Sequence, residues 1–519
     1  MSLVSAQIWA AQLKDASETI AALRNLHASG FDDIRIDTNE ARVVMSSGDF
    51  KKLLEISQRT AAKAEVLGAR SLQADLLMME GRAYENLGDL KKSEQVSQKA
   101  VDLYATTADI TGLARAQNSL ANTLADEGNN KEARRLYEQA LATSHKTGNR
   151  QEESVELHNI ATILRDTGDL AAAKKMYEDS LAIDHEIDDK ISQARTLNSL
   201  ANVHSSMGDI SGAEKMYHDG LAIAQEIGDR VDAALLASDL GTALYERGDA
   251  RGAQKMFEDA QGIYREMGNK AGVSMTAVNI GAVLADQGDL KAAEKNINES
   301  VALAAETGTK DLTGTSLLSL GQVQRDEGDL DAARKSLEQS LAVRKEIGEK
   351  VEMAETEAML AVLALDEKDA ARASALASKA VEEAHRGKAS DLEAGALAVL
   401  AEADLVLNKL DAARDAIAKA KALTGKSEER HAITAVEIAA ARVMASSGKR
   451  DEALKSLQDI LSEMTRLGLV ELQFDARLAI GEIEMKAGET AEARADLAAL
   501  EKDATEKGYL LYARKAKQR

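Results

Sequence analysis

The chain has 519 residues and a formal net charge of −22, from 65 basic and 87 acidic side chains. The excess of acid disfavours phosphate backbones and anionic membrane surfaces as main partners. Cysteine is absent, which excludes disulfides, thiolate catalysis and cysteine-ligated metals, and no apolar run approaches the length of a membrane-spanning helix.

The N-terminal residues 1–30 are predicted to form one or two helices that cap the array behind them, with Ile8 and Trp9 as anchors. The opening residues lack a basic region followed by an unbroken apolar stretch, which argues against a secretory signal peptide. We therefore expect a cytoplasmic protein.

From residue 31 onwards, the sequence repeats with a period of 40 residues. Glycine returns at this interval from Gly48 to Gly328, usually followed by aspartate, and a second glycine column includes Gly148 and Gly228. A glycine just past a helix end adopts the left-handed conformation at low cost, and the next aspartate can accept from the free amides of a new helix. Each unit is therefore predicted to be two helices of about 17 residues separated by short breaks.

Small and bulky residues occupy fixed columns within these helices. Small columns allow the two helices of a unit to approach closely, and a bulky column fills the groove between them. The small column of the first helix includes Ala121, Ala161, Ala201, Gly241, Gly281 and Gly321. In the second helix, the small column includes Ala133, Ala173, Ala213, Ala253, Ala293 and Ala333, and the bulky column is Tyr137, Tyr177, Tyr217, Phe257, Ile297 and Leu337.

This pattern resembles the tetratricopeptide repeat, through the leucine–glycine/alanine pair of the first helix and the alanine–aromatic–alanine series of the second. The unit length is similar to that of the 40-residue subclass found in Pins-type polarity adaptors. The resemblance covers residues 31–508 and implies an all-α fold, a right-handed superhelical α-α solenoid of about twelve helical hairpins with a continuous concave groove. The proline that commonly closes the second helix in the family is absent.

The array divides by the regularity of its repeats. Residues 31–350 are regular, whereas residues 351–508 keep the phase with a weaker consensus, as Lys368 and Asn408 in the glycine column show. Residues 509–519 are predicted to form a closing helix with a basic tail.

The two ends of the array also resemble repeat regions of bacterial signalling proteins. The segments are IRIDTNEARVVMSSGDF at the start and DARLAIGEIEMKAGETAEARADLAALEKDATEKGYLLYARKA at the finish. In such proteins the repeats follow a serine/threonine kinase, a nucleotide cyclase or a winged-helix transcription regulator. This resemblance implies that the effector domain is not in this chain.

Residue types that carry catalysis do not form a familiar motif in this sequence. It has no glycine-rich phosphate loop and no kinase catalytic loop. None of the eight histidines forms a paired metal-binding motif with glutamate, and His204, in an apolar column, is predicted to be a core residue. We therefore expect no enzymatic activity, no cofactor and no metal.

Polar residues recur in the middle of the first helix of each unit, where Asn, Ser and Thr are mediocre helix formers. The family resemblance implies that this helix lines the concave groove. An asparagine amide offers both a donor and an acceptor, so these side chains could grip the backbone of an extended peptide; alternatively, they bond to neighbouring first helices or face water. The candidates, named here the polar ladder, are Asn118, Asn122, Asn159, Thr162, Asn198, Asn202, Asp239, Thr242, Asn279 and Gln322.

An acidic column lies near the end of the same helices, adjoined by Arg165 and Arg325. A groove lined in this way would attract a peptide with basic groups; the alternative is a solvated face that aids solubility. Asp126, Asp166 and Arg165 join the candidate groove residues, and a chaperone-type carboxylate clamp is not assembled. The acidic column is Asp126, Asp166, Glu246, Asp286, Asp326 and Asp366.

The leading functional hypothesis is a non-enzymatic scaffold that binds a peptide or protein segment in the concave groove, without direct contact to nucleic acid or membrane. A second hypothesis is a regulatory or sensor region of a bacterial kinase, cyclase or transcription regulator. A third is an engineered repeat solenoid without a natural ligand, which the absence of proline and cysteine leaves open. The sequence predicts no particular oligomeric state.

Overall fold

The computed structural model describes residues 13–26, 34–425, 427–488 and 490–519. Over these residues the chain forms twenty-six α-helices and no strand, which confirms the all-α prediction. None of the helices in these ranges is both long and apolar enough to cross a membrane. The proposed anchors Ile8 and Trp9 lie outside the described residues.

The described residues up to 203 form one compact unit, hereafter unit 1. After a leading helix, its helices alternate between the first helix of a hairpin, called helix A, and the second, called helix B. Even-numbered helices from α2 are helices A. The helices are α1 (Leu13–Leu26), α2 (Ile34–Ser47), α3 (Phe50–Val66), α4 (Arg70–Asn86), α5 (Leu90–Ala105), α6 (Ile110–Asp126), α7 (Asn130–Thr147), α8 (Arg150–Asp166), α9 (Leu170–Glu186) and most of α10 (Lys190–Ser206).

Residues 204–519 form the second compact unit, unit 2, in which the same alternation continues to the end of the chain. Its helices are α11 (Ile210–Ile227), α12 (Arg230–Glu246), α13 (Ala250–Glu266), α14 (Lys270–Asp286), α15 (Leu290–Thr307), α16 (Lys310–Asp326), α17 (Leu330–Ile347), α18 (Lys350–Asp366), α19 (Ala370–Arg386), α20 (Ser390–Val406), α21 (Leu410–Thr424), α22 (Arg430–Ser446), α23 (Arg450–Leu467), α24 (Val470–Ala487), α25 (Thr490–Lys507) and α26 (Leu510–Lys517).

The glycine–aspartate pairs end one helix and begin the next. Gly328 follows α16 with a φ of 81°, a left-handed conformation that glycine adopts without strain. The Oδ1 of Asp329 then accepts from the amide of Ala332, at 3.0 Å, in the first turn of α17. Lys368 and Asn408 have φ values of 65° and 59°, so the left-handed turn persists in the divergent repeats even where glycine is lost.

Close packing within a hairpin depends on the small columns. A Cβ atom added to Gly241 on α12 would lie 2.7 Å from the ring of Phe257 on α13, which is too near for two carbon atoms. Ala253, one turn before that ring, has no exposed surface. The alternation of small and bulky columns therefore sets the distance between the two helices.

In unit 2, the last helices pack back onto much earlier ones. Helix α24 contacts α14, and α26 contacts α16. One hydrophobic core unites Val278 and Leu290 from the early helices with Phe474, Tyr509 and Tyr512 from the late ones. No repeat column predicts this long-range contact.

Candidate functional site

The polar ladder of unit 1 is tied together by hydrogen bonds between and within hairpins. Asn159 on α8 donates through Nδ2 to Oδ1 of Asn118 on α6, at 3.0 Å. Oδ1 of Asn122 accepts from the hydroxyl of Tyr137, at 2.5 Å. Each bond joins a helix A to a neighbouring helix, so the rotamers of these amides are fixed by the fold.

Thr162 and His158 form a second polar group on α8. The hydroxyl of Thr162 lies 2.8 Å from that of Tyr177, and the Tyr177 ring meets the His158 imidazole edge to face, with 5.0 Å between centroids. Burial, together with the nearby cations Arg165 and Arg195, lowers the pKa of His158 to about 4. The imidazole is therefore neutral at pH 7 and acts as a packing and hydrogen-bonding group.

The other members of the ladder differ in exposure. Asn198 is buried, and its Oδ1 has no hydrogen-bond partner within the described residues, whereas Asn202 interacts with neighbouring groups. In unit 2, Thr242 is exposed and donates to the carbonyl of Ser238, at 3.3 Å. Asp239, Asn279 and Gln322 are half-buried on their helices A.

In unit 1 the acidic column is open to solvent. Asp126 and Asp166 are both exposed, and partial burial raises the pKa of Asp126. The guanidinium of Arg165 donates through Nε and Nη2 to Oδ1 of Asp166, at 3.0 and 2.9 Å. Arg165 therefore neutralises part of the column, and Asp126 carries the uncompensated charge.

In unit 2, other side chains cover the acidic column. One of them is a histidine. Nε2 of His431 on α22 lies 2.8 Å from Oδ2 of Asp286, and its ring is tilted against that of Tyr245, with 4.8 Å between centroids. Burial, together with the negative charges of Glu429 and Asp391, raises the pKa of Glu246 to about 7. These contacts join the end of α12 and the end of α14 to the start of α22.

Arg325 is the centre of a second group of charges in unit 2. Its guanidinium contacts Asp366 at 2.6 Å, Asp326 at 2.8 Å and Glu471 at 3.2 Å. Lys515 reaches the other oxygen of Asp366 at 2.5 Å. Burial works to raise the pKa of Asp366, but Arg325 and Lys515 outweigh it and hold that pKa below its ordinary value.

Sequence reasoning did not identify His431, Glu471 or Lys515 as parts of this surface. They belong to the divergent repeats and to the basic tail, at positions where the repeat consensus carries no information about a contact several repeats away. Charge is the feature of the sequence that points to this contact, because the acidic column of the regular repeats and the basic end of the chain are complementary.

The site as a whole offers hydrogen bonds and charge rather than a reaction centre. Within the described residues, no group of three histidine, aspartate or glutamate side chains is arranged to hold a metal ion. Around Arg325, the buried acids are matched by arginine and lysine. Such a surface can recognise amides and cations.

Two family models, both described as tetratricopeptide repeat, match the chain. The first matches residues 112–186, 192–266 and 272–346, and the second matches residues 74–107. No curated protein matches the chain in sequence.

Solved structures with a similar arrangement of helices share little sequence with this chain. The apo form of RapI has 13% identity and a TM-score of 0.43, covering 53% of this chain and 98% of its own. The apo quorum sensor NprR from B. thuringiensis has 17% identity and a TM-score of 0.48, covering 58% and 85%. Aspartyl phosphate phosphatase F from Bacillus subtilis has 11% identity and a TM-score of 0.46, covering 66% and 92%.

Proposed function

Because this chain consists, in its matched region, of tetratricopeptide repeats, we propose that it is a non-enzymatic interaction scaffold. In this proposal it acts in the cytoplasm and binds a peptide or protein segment along the helix-A face that carries the polar ladder. The partner has basic groups that complement the open acidic column of unit 1.

The proposal rests on the amides of the polar ladder, each of which uses only part of its hydrogen-bonding capacity. Asn118 uses its oxygen and Asn159 its nitrogen in their mutual bond, and Asn122 uses its oxygen for Tyr137. An asparagine amide can make more bonds than this, so each side chain keeps capacity for a ligand while its rotamer is already fixed. Fixed donors and acceptors lower the entropy cost of binding.

Charge is the second support. Asp126 is exposed and has no cation of its own among the residues that the structure describes, whereas Asp166 pairs with Arg165. A partner with a lysine or arginine near Asp126 would be steered to this face, and the effect would weaken with salt.

The experiment begins with a pull-down from the native host, followed by mass spectrometry to identify the partner. Binding of that partner is then measured with the double variant Asn122→Ala, Asn202→Ala at two ionic strengths. We expect a loss of about 1–3 kcal/mol, because each net hydrogen bond is worth roughly 0.5–1.5 kcal/mol. The fold should survive, since alanine is the better helix former.

A matched control removes two amides that are exposed on helices B, through Gln98→Ala with Gln139→Ala. If the control and the Asn122/Asn202 variant bind the partner equally well, the ladder is not the binding surface. Asp126→Asn tests the charge separately, and it should slow association most strongly at low salt.

A further inference from the structure

The end of the chain lies against the acidic column of unit 2, in a position that a ligand could occupy. Residues 508–519, called here the tail segment, comprise Gly508, Tyr509, helix α26 and the last two residues. Tyr509 and Tyr512 are buried at 0% and 3% exposure. Their rings pack around Phe474, with centroids 5.3 and 6.0 Å away, so one face of the tail segment is fully engaged.

Three polar contacts of the tail segment fall on the ends of helices A. The hydroxyl of Tyr509 donates to the carbonyl of Ala285, near the end of α14, and Arg514 donates to the carbonyl of Gly328, just past the end of α16. Lys515 pairs with Asp366, the last residue of α18. The C-terminal end of a helix carries partial negative charge, so three successive helix ends present negative charge or carbonyl oxygens to the tail segment.

The tail segment is also a separable element. Gly508 has a φ of 86° and lies between α25 and α26 as a single turn. Helix α26 has only eight residues, fewer than an isolated helix needs to be stable in water. Its order therefore depends on the surface beneath it.

The two units show that the acidic column does not require such a cover. Asp126 and Asp166, at the same repeat position in unit 1, are exposed, whereas the side chains of Asp326 and Asp366 in unit 2 are each only 4% exposed. The buried pair includes a residue that the tail segment satisfies, since Lys515 and Arg325 divide the two oxygens of Asp366 between them.

We propose that the tail segment is an intramolecular ligand, and that the face it covers on α14, α16, α18 and α24 is an interaction surface for a basic amphipathic helix. The recognised pattern is two tyrosines three residues apart and a lysine three residues after the second. The proposal rests on the proposed function as an interaction scaffold, but it concerns a surface other than the polar ladder. A tethered ligand acts at a high effective concentration, so a partner gains access only when the tail segment leaves.

The test uses the full chain and a fluorescein-labelled peptide of residues 508–519, with binding followed by fluorescence anisotropy at low and high salt. Lys515→Glu places a carboxylate against Asp366 and should release the tail segment. Lys517→Glu is the matched control: it makes the same charge change on the same helix, but Lys517 is 73% exposed and lies 3.3 Å from Glu501. We expect Lys515→Glu to bind the peptide about tenfold or more tightly than either the natural chain or the control.

Hydrogen exchange establishes the state of each variant. In Lys515→Glu, protection should fall in residues 508–517 and remain in residues 310–366. If protection falls throughout unit 2, the milder Lys515→Gln replaces it in the same assay. Adding Asp366→Asn to the releasing variant should weaken peptide binding again, because the lysine of the peptide loses its partner.

Two results would overturn the proposal. One is a released tail segment with no gain in peptide binding over the natural chain. The other is a tail segment that stays protected in both Lys515 variants, because an element that cannot leave does not regulate access. Either result leaves the partner of the polar ladder untouched, since that partner is captured and measured with the natural chain.

Discussion

Glu156 is the position where the structure makes the sharpest prediction about pH. The side chain lies on α8 with no exposed surface. Burial raises its pKa to about 8, the hydroxyl of Ser144 offsets only part of that effect, and the neighbouring carboxylates Glu152 and Glu153 add to it. Glu156 is therefore protonated at neutral pH in the folded chain and ionised in the unfolded one.

The sign and size of the effect follow from the two pKa values. Between the ordinary value of 4.5 and about 8, the folded state holds a proton that the unfolded state has released, so stability falls as the pH rises. The contribution of this proton is present in full below pH 4.5 and is lost by about pH 8. At about 1.36 kcal/mol for each pH unit, the total is about 5 kcal/mol, of which about 3 kcal/mol is lost by pH 7.

Glu156→Gln keeps the shape of the protonated acid and removes the titration. We expect the variant to be more stable than the natural chain by about 2 kcal/mol or more at pH 8 and by less than about 0.5 kcal/mol at pH 5. Because repeat arrays do not always unfold in two states, the measurement is urea-dependent hydrogen exchange of α7, α8 and α9 at several pH values.

Glu153→Gln, three residues earlier on the same helix, is the control with the opposite sign. Burial works to raise the pKa of Glu153, but His145 and Arg150 outweigh it and hold that pKa below its ordinary value. Arg150 lies 2.7 Å from this carboxylate. Replacing the Glu153 carboxylate by an amide should destabilise the chain at neutral pH. In acid, where the carboxylate is protonated, the substitution should have little effect. Parallel pH profiles for the natural chain and Glu156→Gln would refute the reasoning.

Packing and the covered acidic column give three more predictions. Gly272→Ala sets a methyl group against a tyrosine ring and should lower the free energy of unfolding by about 1–3 kcal/mol. Gly262→Ala, with nothing within 4 Å of the new methyl group, should instead raise it by about 0.5–1 kcal/mol. Urea unfolding followed by circular dichroism compares the two variants. Ala213→Trp overfills a fully buried position and should cost about 1–3 kcal/mol or more, with hydrogen exchange rising first in residues 210–266. Burial opposes the charge of His431, but Asp286 outweighs it and holds the pKa well above 6.5, so its stabilisation is complete below pH 6.5 and is lost as the pH rises through the raised value. The protection of amides around residue 431, relative to their intrinsic exchange rate at each pH, should therefore fall in alkali in the natural chain and not in His431→Gln.

The helices and their ends were predictable because each is determined by residues within one repeat. The Gly–Asp pair at 328 and 329 ends α16 and caps α17, as its local chemistry indicates. Gly241 and Phe257 belong to columns that recur every 40 residues, so their contact follows from the period. Features of this kind repeat, and repetition makes them visible in a single sequence.

The surroundings of the polar and acidic columns were not predictable, because they depend on contacts between residues far apart in the chain. Asp126 and Asp286 occupy the same repeat position, yet one is exposed and the other meets His431 across 145 residues of sequence. The direct bond between Asn118 and Asn159 was one of two alternatives that the residue types allowed equally. Whether the polar ladder also holds a partner stays a prediction.

Buried polar residues give nearly identical repeats a means of keeping their order. At two seams of unit 1, a polar residue near the end of helix B lies beside a polar residue of the next helix A: Ser144 lies beside Glu156, and Thr196 donates to Asp184 at 3.0 Å. If α8 took the place of α10 against α9, Glu156 would stand where Thr196 stands, opposite Asp184, and two buried carboxyl groups would meet. Asp184 would then lose the hydroxyl of Thr196, and a buried polar group left without its partner costs about 1–3 kcal/mol. The apolar columns make the helices stack, and polar pairs of this kind disfavour the exchange of one repeat for another at these two seams.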